Sequence, residues 1–177
     1  MTTVAQESPA PPKLLLAHHL RQLKLPTVLR EYEKVAAEAA REGQDHVRYL
    51  LRLVELELID RERRMVERRI RAARFPAVKS FDTFDFAAIP ALNKPLVLEL
   101  ARCEYVVTRD NIIALGNSGT GKTHVCLALG LAACQRGLSV AFTTAAGLVH
   151  QLMEARDEKR LLRLQSQLAA VKLLIVD

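Results

Sequence analysis

The chain has 177 residues, enough for one ordinary domain or two small ones, and half of them are hydrophobic, so a core can be buried. Only 5% are aromatic and Trp is absent, which leaves little for the base-stacking platforms of single-strand binders. A formal charge of +6, with 15 of the 26 basic residues placed before residue 76, points to a polyanionic partner.

Three cysteines (Cys103, Cys126, Cys134) show no CxxC spacing, and the five histidines are scattered; the thiols read as reduced, apolar fillers and no metal cluster is formed. Residues 1–12 are polar and Pro-rich, unlike an export signal, and no run of 18 apolar residues could span a bilayer. The expectation is a cytoplasmic protein with no membrane contact and a disordered tail at residues 1–12.

Residues 13–24 carry a short helical pattern, closed by Pro26. A second helix is predicted over residues 27–42, with Val28, Leu29, Tyr32, Val35, Ala36 and Ala39 on one stripe and Gly43 as its stop. Asp45 is the predicted N-cap of a third helix over residues 46–73, leucine-rich at first and strongly basic later. These helices form an all-α module over residues 13–75. Phe75-Pro76 breaks the pattern, and residues 76–94, with three Phe and little periodicity, read as an ordered connector packed on the next domain. A short helix follows over residues 95–103.

From there apolar segments alternate with helices. Strands are predicted at residues 111–115, where NIIAL should be buried, and at residues 139–143 and 172–176. Helices are predicted over residues 123–136, 145–156 and 159–171. Such alternation implies a parallel α/β sheet.

Residues 116–123 (GNSGTGKT) fit GxxxxGK(S/T), directly after a predicted strand and opening a predicted helix. Gly116, Asn117, Ser118, Gly119, Thr120 and Gly121 would turn successive N–H groups toward phosphates, helped by the helix N-terminus and flanked by His124. Lys122 is the candidate catalytic residue, reaching the β- and γ-phosphates, and the Thr123 hydroxyl would ligate Mg²⁺. The apolar strand LLIV ends in Asp177, which has the form of a Walker B acid beside the same Mg²⁺. No acid follows Asp177 in this sequence, and no polar sensor or arginine finger can be assigned; the expectation is a chain with the binding parts and without those that speed hydrolysis.

With these residues in place, the chain resembles the IstB-like transposition helper ATPases, relatives of the DnaC helicase loaders in the AAA+ class. The likeness is carried by LKLPTVLREYEK (residues 23–34), the basic helix, RAARFPAVKSFDTFDF (71–86), GNSGTGKTH (116–124), FTTAAGLVHQL (142–152) and LLIVD (173–177). It implies an α/β P-loop NTPase domain over residues 95–177, preceded by the all-α module. It also implies ATP and Mg²⁺ as cofactors, and work with a transposase on double-stranded DNA without sequence preference, as a homo-oligomer. A DnaC-like helicase loader is the alternative, as is a non-catalytic remnant that binds DNA or protein with little turnover. Asn117 stands where the family often has Pro. The AAA+ sheet order 5-1-4-3-2 would make these strands the first, second and third, without the fourth that separates the first from the third. The expectation is therefore an incomplete, marginally stable sheet in a truncated chain.

The stretch at residues 61–74 (RERRMVERRIRAAR) holds seven Arg against two Glu. Arg61, Arg63, Arg64, Arg68, Arg69 and Arg71 are candidates for DNA phosphate contact. The competing reading is a solvated face with ion pairs such as Glu67 to Arg71 or Arg63.

Overall fold

The computed structural model describes residues 12–177, so the expected tail lies, up to residue 11, outside the described residues. The chain divides into two compact units, one ending at Arg64 and one running from Met65 to Asp177.

The first unit holds α1 (Pro12–Gln22), α2 (Pro26–Arg41) and the start of α3 (His46–Ala73). Asp45 caps α3 as predicted, its Oδ1 accepting a 2.8 Å bond from the Arg48 amide. At the start of α2, Leu25 has no capping side chain and Pro26 has no N–H to satisfy. The orphan amides that follow are met by α3 instead. Glu57 Oε2 accepts from the amides of Thr27 at 2.8 Å and Val28 at 3.2 Å. Asp60 accepts from the Thr27 hydroxyl at 2.7 Å. Two carboxylates thus face the positive end of the α2 dipole, and Arg64 neutralises them through Glu57 Oε1 at 2.9 Å. Val35, Ala39 and Leu53 are buried in this unit.

The second unit begins with the last turns of α3. Residues 75–93 are irregular apart from a 3-10 turn at Phe81–Thr83. α4 (Lys94–Leu100) is capped by Asn93, whose Oδ1 accepts from the Leu96 amide at 3.1 Å. α5 (Glu104–Thr108), which the sequence reading did not separate, starts at Cys103 in a left-handed conformation. α6 (Lys122–Gln135) is apolar on every side, with Leu127, Ala128, Leu129, Leu131, Ala133 and Cys134 buried, as befits a central helix. A Cβ on its Gly130 would lie 2.7 Å from Ile175 Cδ1 and 2.9 Å from Phe75 Cε1, so only glycine permits this packing distance. The core joins Ala73, Cys103, Tyr105, Ala133, Cys134, Val140 and Ile175. Its cysteines are free thiols pushed up in pKa by burial, as the apolar-filler reading requires.

After α6, β1 (Val140–Thr143) leads into α7 (Ala145–Asp157), capped by Thr144, and α8 (Leu161–Ala169). β2 (Leu173–Val176) returns parallel to β1, with Val140 opposite Leu173 and Thr143 opposite Val176. The fold is α/β with an incomplete parallel sheet of two strands among the described residues.

The predicted buried strand at residues 111–115 is corrected by the structure. This segment joins no ladder, and Ile113 and Leu115 are 78% and 88% exposed. A strand in a parallel sheet is held by hydrogen bonds to neighbours, and none of the described residues provides a neighbour here. A cavity of about 350 Å³ lies between Asn111–Ile112 and the free edge of β2, lined also by Tyr105, Cys126 and Leu129. The buried Tyr105 hydroxyl has no hydrogen-bond partner, and burial raises its pKa to about 12. The adjacency of the second and third predicted strands, with the first set apart, is the arrangement expected of an AAA+ order without its fourth strand.

Candidate nucleotide site

The glycine-rich segment at residues 116–121 leads directly into α6. Gly121 is the N-cap residue, at φ +76°, and no side chain caps the first turn. The amides at the start of this 14-residue helix therefore form an anion-seeking end. Two donors hold the loop's shape through one acceptor. Lys122 Nζ donates to the Asn117 carbonyl at 2.7 Å, and the Thr120 hydroxyl donates to the same oxygen at 2.8 Å. Lys122 is thus folded back over the loop that its ammonium would complete as a phosphate cradle.

β2 delivers the second component. Thr143 of β1 accepts the Asp177 amide at 3.1 Å, and Asp177 returns its carbonyl to the Ala145 amide at 2.9 Å. Anchored on both sides, Asp177 presents its carboxylate to α6. The Thr123 hydroxyl donates to Asp177 Oδ1 at 2.8 Å. One hydroxyl and one carboxylate oxygen, both hard donors, suit Mg²⁺, which keeps most of its waters and takes few protein ligands. The negative charge of Asp177 also helps burial to raise the Cys126 thiol pKa. Among the described residues no cluster of three or more His, Cys, Asp or Glu could hold a metal, so the Thr–Asp pair is the metal-ligating candidate here.

His124 is turned to the connector. Its Nε2–H donates to the Ser80 carbonyl at 3.1 Å, and its ring meets that of Phe84 edge to face at 5.0 Å. Phe84 and Ile89 also close on Gly121, where a Cβ would lie 2.9 Å from Phe84 Cε2 and 3.2 Å from Ile89 Cδ1. That the connector packs on the next domain is the sequence expectation; which residues make the contact is not. The one signal for them is FDTFDF, three aromatics in a segment with no helical or strand period of its own.

The arginine candidates divide. Arg61 reaches Glu57 at 3.7 Å and the Lys24 carbonyl at 3.2 Å, while Arg63 and Arg64 pair with Asp60, and Arg64 also with Glu57. These three are engaged in the first unit's own acid cluster. In the second unit Arg68 is exposed, Arg69 lies 3.7 Å from the Cβ position of Gly137, and Arg71 stands 4.0 Å from Glu67. Among the described residues no helix is long and apolar enough to cross a membrane.

Comparison with known proteins identifies the family. The chain is 35% identical over 158 residues to the insertion sequence IS21 ATP-binding protein of Pseudomonas aeruginosa, covering 89% of this chain and 60% of that protein. It is 31% identical over 159 residues to the insertion sequence IS5376 ATP-binding protein of Geobacillus stearothermophilus, covering 90% and 63%. An insertion-sequence ATP-binding protein of Sinorhizobium fredii is 35% identical over 159 residues, covering 89% and 53%. The chain therefore spans less than two thirds of the length of these relatives. The family model described as IstB-like ATP binding protein matches residues 18–177, and the chain belongs to that family.

Proposed function

We propose that this protein binds ATP with Mg²⁺ at residues 116–123 and Asp177, with His124 turned to the connector, and serves as the nucleotide-dependent helper of a transposase in moving an insertion sequence. The observation that carries the nucleotide site is the 2.8 Å bond between Thr123 and Asp177. Residues 54 positions apart meet beside an open helix N-terminus, the placement expected of the two protein ligands to a phosphate-bound Mg²⁺. In this reading the amides of residues 119–123 hold the phosphates, Lys122 exchanges the Asn117 carbonyl for a phosphate oxygen, and Thr123 and Asp177 hold the metal. When bound, the metal neutralises charge on the phosphate oxygens. The role in transposition is supported by relatives that are named for insertion sequences, which favours it over helicase loading. DNA contact is assigned to the basic stretch of α3, and assembly into a homo-oligomer belongs to the same reading.

The test is equilibrium binding of a fluorescent ATP analogue with Mg²⁺ to the protein and to Lys122→Ala. Saturable binding that the substitution weakens at least about tenfold supports the site, since a charge-assisted phosphate contact is worth that much. Equal binding by both proteins would overturn it.

A further inference from the structure

The connector touches the phosphate loop at two points, and neither involves a residue of the core cluster. One is the pair Phe84 and Ile89 against Gly121, tight enough that a methyl group at 121 would overlap Phe84. The other is the hydrogen bond from His124 to the Ser80 carbonyl, with the Phe84 ring packed on the imidazole. His124 follows Thr123 directly, so the connector grips the residues on both sides of the Lys122–Thr123 pair. The grip has its own bracing. The Phe84 amide donates to the Phe81 carbonyl at 3.2 Å, and Phe84 meets Phe86 edge to face at 4.8 Å. Asp85 Oδ1 accepts from the Ala87 amide at 2.9 Å, shaping the turn that brings up Ile89. Residues 116–119 are exposed and are tied to the start of α6 through the Asn117 carbonyl, so the ordering of the loop depends on how the turn at Gly121–Thr123 is held.

We propose that Ser80, Phe84, Ile89 and His124 form a clasp that sets the conformation of the Gly121–Thr123 turn before nucleotide arrives, making Phe84 and His124 positioning residues for the phosphate site. This rests on the nucleotide-binding reading for its purpose, while the clasp itself is a property of the free protein. By holding the turn in place, it removes part of the ordering cost that phosphate binding would otherwise meet. His124 acts through Ser80 and Phe84, not through the ligand.

The experiment has two arms on the 177-residue protein. In the first, amide hydrogen exchange at residues 119–123 is followed by mass spectrometry without nucleotide, for the parent, His124→Ala, His124→Gln, Phe84→Ala and Phe84→Leu. The expected result is exchange about tenfold faster in the two alanine variants, with recovery in His124→Gln, whose amide N–H can still reach the Ser80 carbonyl. Thermal transitions monitor global stability, and Phe84→Leu, which keeps an apolar side chain, serves if Phe84→Ala does not fold. In the second arm the dissociation constant of the fluorescent ATP analogue with Mg²⁺ is expected to rise about tenfold in the alanine variants and to recover in His124→Gln. Unchanged local exchange in folded variants would overturn the clasp, as would a failure of His124→Gln to recover. If the parent binds no nucleotide while the exchange pattern holds, the site's assignment falls and the clasp stands.

Discussion

Thr123 and Asp177 share a 2.8 Å hydrogen bond although one opens α6 and the other ends β2. The contact exists because β1 fixes Asp177 at the backbone, through the Thr143 carbonyl, one residue beyond the Thr143–Val176 pair. The carboxylate's position is therefore set by the sheet and the hydroxyl's by the helix. Asp177→Asn preserves the shape and removes the charge. We expect the variant to lose the Mg²⁺ enhancement of ATP-analogue binding by about tenfold or more, while binding without Mg²⁺ changes little. Titrations with and without the metal check this, and an enhancement that survives the substitution would remove Asp177 from the metal site.

Glu57 is 3% exposed and meets four partners at once, the amides of Thr27 and Val28, Arg64 and, at 3.7 Å, Arg61. Glu57→Ala leaves two amides without their acceptor and Arg64 with Asp60 alone, and should cost about 3–5 kcal/mol in urea unfolding of the first unit. Glu57→Gln keeps an acceptor for the amides and should cost less than the alanine change. Equal losses would mean that packing, not hydrogen bonding, is what Glu57 supplies.

Asp60 has its carboxyl held below the usual carboxylate range, first by the Thr27 hydroxyl and next by Arg63. A depressed folded-state pKa stabilises the protein above the unfolded pKa, near 4 for an Asp. That contribution is lost as pH falls through the lower folded value. Stability of the parent should thus fall between about pH 4 and pH 2 more steeply than that of Asp60→Asn. The unfolding midpoint in urea across that range is the measurement, and parallel pH profiles would refute it.

Gly130→Ala tests the packing of α6. Alanine raises helix propensity by about 1 kcal/mol, while the new methyl would overlap Ile175 and Phe75 at under 3 Å. Overpacking of this kind costs about 1–3 kcal/mol, so the variant should melt at or below the parent temperature. A clear rise in melting temperature would show that the two side chains yield freely.

The GxxxxGK(S/T) pattern could be read in the sequence because it is local, eight contiguous residues that open a helix, whereas the strand expected before it is absent among the described residues. Asp177 was legible for the same reason, as the end of an apolar run. The α2 cap was not, since Glu57 lies 30 residues from Thr27 and resembles any other acid on a charged helix. The assignment of residues 111–115 as a strand failed for the converse reason. NIIAL has strand composition, but pairing is a property of a neighbour, and the sequence of one segment does not contain its neighbour. The clasp falls between these cases: FDTFDF announces an ordered connector without saying that it grips Gly121 and His124.

The basic stretch of α3 separates into arginines paired with the acids of the first unit and arginines that stand exposed on the second. Arg64 ties Glu57 and Asp60 together, so Arg64→Ala should lower unfolding stability and affect DNA only through that loss. Arg68 is exposed and Arg71 has only a 4.0 Å contact to Glu67, a weak surface pair. If these two contact phosphates, Arg68→Ala and Arg71→Ala should leave stability unchanged within about 0.5 kcal/mol. Each should weaken binding to duplexes of unrelated sequence to the same extent, and each should reduce the slope of log affinity against log salt by about 1. Fluorescence anisotropy with a labelled duplex at several salt concentrations reads all three quantities. An unchanged slope in both variants would place the polyanion contact elsewhere on the protein and leave this half of α3 as a solvated charged face.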